Sequence, residues 1–402
     1  MPRFERIEYK PIPVRELLVE MKNLSELMID LAYSAALFND KELAEDVLTL
    51  ESRIDYLAYL LDMEIMVAAR GDPKDAEALI GVSIVAAATN KISDAAADIA
   101  AIVTRNIGVH PIVGAIFEKV EERLMKATVK EDSPLSGKRV GKLDLAARMG
   151  VDLLAIRRNK DWIINPKGTE RILPGDTLIT RGAPLGTKEF KNLAEGRLKQ
   201  LEGITLTEQK QFEEIVARFV ELKDTSELMM DLAYSSLLLN NRELAEEVQR
   251  LEEYVDKLHT EFELLALTSD FKKEEASGFL GLIRLGVATE KIADAAAEMA
   301  EVVLRGIEPH PVLKLTIKEA EETVTQACVT DNSPLINKTL KEARVHEETG
   351  MGILAIRRGE KTLRPKADSK IQLGDILIAS GYAEGVYDLK KLASPEQTCR
   401  IE

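Results

Sequence analysis

Cysteine is almost absent from this chain of 402 residues, which contains only Cys328 and Cys399. The two are far apart in the sequence and form no CxxC pair, so they provide neither a disulfide framework nor a zinc ribbon. A reducing cytosol is the compartment that fits this cysteine usage best. The length predicts about two to four domains, each large enough for a true hydrophobic core.

Long apolar runs are also lacking. The most apolar stretch, residues 78–89, has twelve residues, whereas a membrane-spanning helix needs about 20. The charged N-terminus is not followed by the apolar segment of a secretion signal. We therefore expect a soluble, cytoplasmic chain with no transmembrane segment of its own, held at the membrane only through a partner.

Positive charge is in deficit, because 54 Lys and Arg residues face 69 Asp and Glu residues, for a net charge of −15. Such a molecule repels polyanions and lacks the excess of basic residues that a nucleic-acid-binding protein needs. A small anionic ligand must therefore be held by a local basic site.

The chain consists of two copies of one unit, spaced by about 200 residues. Residues 25–34 (SELMIDLAYS) recur as 226–235, and residues 91–98 recur as 291–298. Shorter repeats follow in the same order, at 110–111 and 310–311, 133–135 and 333–335, 154–158 and 354–358, and 175–176 and 374–375. A solenoid has shorter and more numerous repeats. The sequence is instead a duplicated two-part protomer.

The apolar spacing changes once within each copy. Helical spacing first predicts four helices, at about 13–38, 40–70, 72–107 and 111–126, and short apolar runs separated by turn residues then predict a small β-α-β-β-β module. The fold class is α+β and multidomain. The predicted order is a helical bundle, a small module, a second bundle and a second module, over residues 1–127, 128–195, 196–327 and 328–402, with the joint between copies near 196–210.

Carboxylates recur on the predicted helices with i,i+4 spacing, which places them on one helix face. The nine candidate metal ligands are Glu26, Asp30, Asp94, Asp98, Glu227, Asp231, Glu290, Asp294 and Glu298. Carboxylates from neighbouring helices suit a divalent metal such as Mg, Mn, Fe or Zn. The alternative interpretation is that Lys91, Lys291 or Arg105 neutralises these acids as ion pairs.

This pattern resembles the PhoU family of cytosolic helical-bundle regulators, over roughly 13–127 and 207–327. The resemblance implies three-helix bundles, two per chain, and a multinuclear metal site in some members. Asn90 stands where the second copy has Glu290. If metal binds, we therefore expect the second bundle to hold it more tightly than the first.

The small modules carry a second set of ordered motifs: DSPLSGK at 132–138, LAIRR at 154–158, WIINP at 162–166 and LPGDTLI at 173–179, with counterparts at 332–338, 354–358 and 373–378. They resemble the TrkA C-terminal (RCK-C) domain. This resemblance implies regulation of a cation (potassium) channel or transporter, pairing of domains, and in several members binding of cyclic di-AMP between the paired domains. Two copies in one chain could form that pair internally.

The predicted nucleotide-binding residues are Arg157, Arg158, Ile163, Asn165, Pro166, Arg357 and Arg358. Guanidinium donors form a rigid fork that matches phosphate. Successive arginines on a strand point to opposite faces, so one of each pair enters a given cleft. The alternative is that the arginines end a strand in solvent and Ile163 is core. The sequence has no dinucleotide-binding Rossmann half, so NAD is not expected.

The histidines give no catalytic pattern. His110 and His310 each precede a proline and are interpreted as helix boundaries, and no Ser/His/Asp, Cys/His or zinc spacing is present. We expect no enzyme. The leading hypothesis is a regulator of potassium transport that senses a small anionic ligand. The alternatives are a metal-binding, PhoU-like scaffold for phosphate transport or signalling, and a metal-dependent hydrolase; monomer and homodimer both stay open.

Overall fold

The computed structural model describes residues 7–69, 71–117, 123–143, 145–159, 161–164, 166–182, 184–195, 210–319, 322–359, 361–363, 365 and 369–395. The chain forms two compact units. One comprises residues 1–124 and 198–316, and the other comprises residues 125–197 and 317–402. Each unit therefore combines the equivalent parts of the two sequence copies. In the described residues, no helix is both long and apolar enough to span a bilayer.

The first copy begins with long helices and continues into a small sheet. Its elements are α1 (Val14–Phe38), α2 (Lys41–Ala69), α3 (Pro73–Thr104), α4 (Ile112–Phe117), β1 (Arg123–Thr128), α5 (Leu145–Met149), β2 (Val151–Arg158), β3 (Asp161–Ile164), β4 (Thr177–Gly182) and α6 (Pro184–Glu195).

The second copy repeats this order. Its elements are α7 (Lys210–Leu239), α8 (Arg242–Thr268), α9 (Ala276–Leu304), α10 (Pro311–Glu319), β5 (Glu322–Cys328), α11 (Leu340–Ala343), α12 (Val345–Thr349), β6 (Met351–Arg358), β7 (Lys361–Leu363), β8 (Ile376–Tyr382) and α13 (Gly385–Ala393). The predicted joint at 196–210 lies outside the described residues, except for Lys210, where α7 begins.

The helical unit contains two three-helix bundles, α1–α3 and α7–α9, in which each helix packs against the other two. Local chemistry fixes the helix starts. The Asp72 carboxylate accepts a hydrogen bond from the Lys74 backbone N–H at 2.8 Å, and Pro73 follows at the first helical position. His110 Nδ1 accepts from the Ile112 N–H at 3.2 Å, and His310 Nδ1 accepts from Val312 at the same distance. Both His-Pro pairs therefore mark helix starts, as predicted.

The two bundles pack against each other along α3 and α9. Gly81, near the start of α3, lies beside Val302 and Ile307, whereas Gly281, near the start of α9, lies beside Ile102 and Gly108. The two helices are therefore antiparallel. A Cβ atom at Gly281 would lie 2.1 Å from the Gly108 carbonyl oxygen. Only glycine permits this approach.

Each small domain is a four-stranded sheet, with strand order β1-β4-β2-β3 in the first copy and β5-β8-β6-β7 in the second. The central strands β2 and β4 pair antiparallel, as do β6 and β8. The register places Arg157 opposite Trp162 on one side and Thr177 on the other. Helix α6 covers the first sheet through Phe190 and Ala194, which are fully buried in its core.

The fold class is as predicted, with three differences. Within the described residues, the predicted helix 111–126 is observed from Ile112 to Phe117, and β1 occupies Arg123 to Thr128, so that strand structure begins inside the predicted helix. The small modules thus begin before the predicted boundaries at 128 and 328, because β5 already starts at Glu322. Helices α6 and α13, which close the modules, are additional elements.

Candidate functional sites

Arg158, at the end of β2, is held by a buried carboxylate. Its Nε lies 3.0 Å from Asp176 Oδ1 and its Nη2 lies 2.8 Å from Asp176 Oδ2, while Nη1 donates to Glu170 at 2.9 Å. Asp176 is 2% exposed. The hydrogen bond to Asp176, which outweighs the opposing effect of burial, is the main cause of the raised pKa of Arg158. This bidentate ion pair joins the end of β2 to the turn before β4.

An equivalent bidentate ion pair is present in the second copy. Arg358 Nε and Nη2 donate to the two oxygens of Asp375, each at 2.8 Å, and Asp375 is fully buried. The carboxylate also accepts the Gln372 backbone N–H, as Asp176 accepts that of Leu173. Gly175 and Gly374, with φ of 85° and 83°, permit the turn. The repeated Arg-Arg and Gly-Asp motifs are therefore halves of one structural contact.

Arg157, the residue before Arg158 on β2, lies near an aromatic ring and a surface cavity. Its guanidinium carbon is 5.8 Å from the centroid of the Trp162 ring, the cross-strand neighbour on β3. It also lines an open cavity of about 390 Å³, together with Arg158, Asn159, Leu173, Pro174, Gly175, Asp176 and Thr177. The Arg158–Asp176 pair forms part of the cavity wall, and Arg157 is a second basic residue in the lining.

Among the described residues of this domain, the predicted ligand-binding residues Ile163 and Pro166 are not part of the cavity lining. Ile163 pairs with Ile156 across the sheet and packs against the hydrophobic core, which is the position that the alternative interpretation gave it. Pro166 is buried, and Asn165 lies outside the described residues. In the second copy, Arg357 occupies the position of Arg157, opposite Thr362 instead of a tryptophan.

The two small domains contact each other within their unit. Helix α5 packs against α12, and Arg181 on β4 lies over the ring of Tyr382 on β8, 5.6 Å from its centroid, while donating a hydrogen bond to the tyrosine hydroxyl. The two small domains of the chain are therefore in direct contact with each other. The contact is not fully symmetric, because Arg181 corresponds to Ser380 in the second copy.

Four of the nine predicted metal ligands form ion pairs with lysine. Glu26 Oε1 lies 2.5 Å from Lys22 Nζ, and Glu227 Oε1 lies 2.5 Å from Lys223 Nζ. Between the bundles, Asp98 Oδ2 lies 2.8 Å from Lys291 Nζ and Glu298 Oε1 lies 2.5 Å from Lys91 Nζ. The alternative interpretation, neutralisation by Lys91 and Lys291, is confirmed for these last two acids.

The structure brings together two other groups of carboxylates, each on two helices of one bundle. Glu51 and Asp55 on α2 meet Asp94 on α3, with one oxygen from each within 4.8 Å of the others. Glu252 and Asp256 on α8 meet Asp294 on α9 in the same way. Asp94 and Asp294 are thus the predicted ligands that enter these groups. Asp30 is buried on α1 and Asp231 is half-buried on α7.

Sequence reasoning missed the contribution of α2 and α8, although the signal was present. Glu51-x-x-x-Asp55 and Glu252-x-x-x-Asp256 have the same i,i+4 spacing as the acid pairs that were selected. In an acidic chain this spacing is frequent. Only the packing of α2 on α3 shows which acid pair faces which.

Partial burial and mutual repulsion raise the pKa values of Asp94, Asp294 and Glu290. Burial, followed by the charges of Asp55 and Asp98, raises the pKa of Asp94. In the second bundle, burial and the charges of Asp294 and Asp256 raise the pKa of Glu290 to about 7. A divalent cation would relieve exactly this kind of repulsion by supplying compensating charge. The donor set of three carboxylates fits a hard or borderline metal.

The two carboxylate groups differ in their surroundings. Glu290 adds a fourth carboxylate near Asp294 and Asp256, where the first copy has Asn90. His259 also lies close enough to Asp294 to influence its pKa, and its counterpart by the repeat spacing is Ala58. The second bundle therefore offers more potential ligands.

Comparison with protein families assigns both parts of the repeat. The PhoU domain model matches residues 18–103 and 219–303, and the TrkA-C domain model matches residues 124–195 and 324–394. The chain is a tandem duplication of a PhoU domain followed by a TrkA-C domain. Both family resemblances drawn from the sequence are confirmed. The Arg158–Asp176 and Arg358–Asp375 pairs lie in the TrkA-C domains, and the carboxylate groups lie in the PhoU domains.

Curated relatives match shorter stretches. Potassium channel protein 1 of Methanocaldococcus jannaschii is 31% identical over 123 residues, which are 30% of this chain and 37% of that protein. Probable potassium channel protein 2 of the same organism is 31% identical over 78 residues, 19% of this chain and 23% of that protein. An uncharacterized transporter of Synechocystis is 32% identical over 75 residues, 18% and 12% of the two chains. The match thus spans less than two fifths of each relative.

Solved structures with similarity include PhoU from Pseudomonas aeruginosa, at 16% identity and a TM-score of 0.40, covering 73% of this chain and 96% of that one. The GsuK RCK domain is similar at 11% identity and a TM-score of 0.18, covering 69% of this chain and 64% of that one. Both scores are below 0.5, so the assignment of the PhoU and TrkA-C domains rests on the family models.

Proposed function

We propose that this protein is a cytoplasmic regulator of potassium transport that binds a small anionic ligand, such as cyclic di-AMP, through its TrkA-C domains. Its partner would be an integral-membrane cation channel or transporter, which would bring the chain to the membrane surface. Two of the curated relatives are named as potassium channel proteins. We propose no catalytic role and no NAD cofactor.

The observation that carries this proposal is the cavity beside Arg157. Its volume of about 390 Å³ lies within the range of small-molecule pockets. The neighbouring Arg158–Asp176 pair fixes the cavity wall, so the site needs little ordering before a ligand binds. A guanidinium in the cavity lining suits the phosphate of a nucleotide, which accepts two parallel hydrogen bonds. The overall charge of −15 makes such a local cation necessary.

Binding regulates a partner only if the ligand prefers one arrangement of the protein over another. The paired TrkA-C domains provide a surface at which this preference can arise, because Arg181 and Tyr382, together with helices α5 and α12, join the two domains. A ligand that alters this pairing would change the domain arrangement that the membrane partner binds.

Calorimetric titration of the metal-stripped protein with cyclic di-AMP tests the proposal. We expect saturable binding in the micromolar range or tighter, and a loss of at least about tenfold in the Arg157→Ala and Arg357→Ala variants, since each removes a charge-assisted contact worth about 1.5–3 kcal/mol. Linear di-adenosine phosphate and ATP serve as comparison ligands. Absence of heat at every accessible concentration would exclude cyclic di-AMP, and unchanged affinity in both variants would exclude the assigned arginines.

The carboxylate groups support a second candidate function, a metal-binding PhoU-type scaffold that regulates phosphate transport or signalling. Glu51, Asp55 and Asp94 would hold a metal in the first bundle, and Glu252, Asp256 and Asp294 would hold one in the second. Mg, Mn, Fe or Zn would each supply the positive charge that these clustered acids lack. The metal would then join two helices of one bundle.

The two bundles are expected to differ in metal affinity. The second bundle has Glu290 and His259, where the first has Asn90 and Ala58. We expect Mn²⁺ or Zn²⁺ to fill the second site at a concentration at least about tenfold lower than the first, because each added ligand is worth more than about 1 kcal/mol. Metal analysis of the Asp94→Asn and Asp294→Asn variants at limiting metal measures this. Equal occupancy in the two variants would contradict the prediction.

A further inference from the structure

The surface between the two PhoU bundles is rich in alanine. Helices α3 and α9 meet there, and both contain an Ala-Ala-Ala run, at 95–97 and 295–297, that is buried. Small side chains of equal size let helices approach closely, but they specify alignment weakly. A slide of one helix by one turn, about 5.4 Å, would exchange alanine for alanine at several positions. Residues outside these runs therefore specify the register: Gly281, which no larger residue can replace beside the Gly108 carbonyl, and buried side chains that carry charge across the interface.

Lys22 on α1 is one such residue, because it is buried and reaches across to the other bundle. It is 3% exposed, and its Nζ lies 2.5 Å from Glu26 Oε1 on its own helix. The same ammonium lies 4.5 Å from the centroid of the Tyr234 ring on α7. A buried ammonium is costly unless an anion and further favourable contacts compensate it. Here the anion comes from one bundle and the aromatic face from the other.

Lys223 on α7 makes the reciprocal arrangement. It is also 3% exposed, its Nζ lies 2.5 Å from Glu227 Oε1, and it lies 5.5 Å from the Tyr33 ring on α1. Burial disfavours the charged form, but the charge and hydrogen bond of Glu227, with the nearby Asp224 and Asp30, raise the pKa of Lys223. The lysine therefore stays charged. The Tyr33 hydroxyl is 2.7 Å from Thr289 Oγ1 on α9, which adds a third contact between the bundles.

A second, outer pair of contacts also crosses between the bundles, but it has less influence. Lys91 pairs with Glu298 and Lys291 pairs with Asp98, and these four side chains are between 40% and 56% exposed. Ion pairs with such exposure contribute little and are weakened by salt. They also reach other carboxylates easily on an acidic surface. The buried lysines are the contacts that a wrong alignment cannot satisfy.

We propose that Lys22 and Lys223, together with the rings of Tyr234 and Tyr33, specify which bundle pairs with which and in which register. In a shifted or wrongly paired arrangement, each ammonium would remain buried without its aromatic partner. That penalty acts against the alternatives rather than in favour of the native state, as a buried polar residue does in a coiled coil. The two bundles then behave as a single body within one chain.

Replacing both tyrosines tests this proposal, with a matched control. The Tyr33→Leu/Tyr234→Leu variant removes both rings, whereas Tyr33→Phe/Tyr234→Phe keeps them. Nitroxide labels at the exposed positions Ala87 and Arg284, in a background lacking Cys328 and Cys399, report the distance between α3 and α9. We expect one distance population in the parent and the phenylalanine variant. The leucine variant should show a second distance population, and a single unchanged population would overturn the proposal.

The Lys22→Met/Lys223→Met variant is an independent test of the proposal. It applies even if the leucine variant does not fold. Replacing buried charges by apolar side chains of similar length is often neutral or stabilising. We expect an unchanged or higher Tm, combined with a mixed distance distribution or a fraction of dimers detected by light scattering. A drop in Tm of more than about 5 °C, or a folded monomer with one unchanged distance, would show that the lysines do not act as specificity determinants.

Discussion

Replacing Arg158 by alanine is expected to destabilise the first TrkA-C domain by about 2–4 kcal/mol, a large part of the stability of a domain of this size. The substitution leaves Asp176, which is 2% exposed, without its guanidinium partner. Because Arg158 is itself 27% exposed, water can enter its place, which sets the expected loss below that of a fully buried pair. Urea unfolding should show a lower midpoint and an unchanged m-value.

Arg157→Ala is the matched control, because it removes the same side chain from the next position of the same strand. Arg157 lines the cavity and lies over Trp162, whereas the two-oxygen ion pair with Asp176 is made by Arg158. We expect it to lower stability by less than about 1 kcal/mol while weakening ligand binding. Equal destabilisation by the two variants would contradict the division of roles between the neighbouring arginines. The pair Arg358→Ala and Arg357→Ala repeats the comparison in the second domain.

The metal-free protein is expected to lose stability as the pH rises from about 5 to 8. Burial and the neighbouring carboxylates raise the pKa of Glu290 to about 7, above the value of 4.5 that it has when unfolded. Between these two values the folded state binds more protons than the unfolded state, so the free energy of unfolding falls with rising pH. Allowing for partial exposure, the change is about 1 kcal/mol, or about 2–4 °C in Tm.

Mn²⁺ should reverse this trend, because it binds the deprotonated carboxylates and therefore stabilises the protein more at pH 8 than at pH 5.5. Thermal unfolding with and without metal at both pH values measures the effect. The Glu290→Gln variant is the control and should show a flatter pH dependence without metal. If the metal-free protein were more stable at pH 8 than at pH 5.5, the proposed repulsion among Glu290, Asp294 and Asp256 would be contradicted.

The sequence predicted the main helices closely because helix-forming spacing and capping are local. Asp72-Pro73 marks the start of α3 in both the sequence and the structure. The segment after His110 was predicted less accurately, because its apolar residues are compatible with either a helix or a strand. Pairing of β5 with β8 over the whole of 322–328 shows what decides it in the second copy. That hydrogen-bonding partner lies about 50 residues away in the chain, beyond the reach of a local pattern.

The candidate sites show the same division. The Arg-Arg repeat was visible in the sequence, but the roles of the two arginines were not, because they depend on Asp176 and Asp375 in a distant turn. Lys91 and Lys291 were correctly considered as partners of helix acids, although each pairs with the opposite bundle. The carboxylates of α2 and α8 were overlooked, since an acidic surface contains many i,i+4 pairs and only helix packing selects among them.

The sequence by itself determined the duplication, the alternation of helical bundles with small β modules, and the resemblance to PhoU and TrkA-C domains. Repeats, helical spacing and ordered motifs are properties of the chain order, so they can be recognised without coordinates. The tertiary structure decided that Arg158 holds Asp176, that Glu51 and Asp55 meet Asp94, and that Lys22 reaches Tyr234. Each of these contacts joins residues from different elements, and its energy depends on burial and distance, which only packing sets.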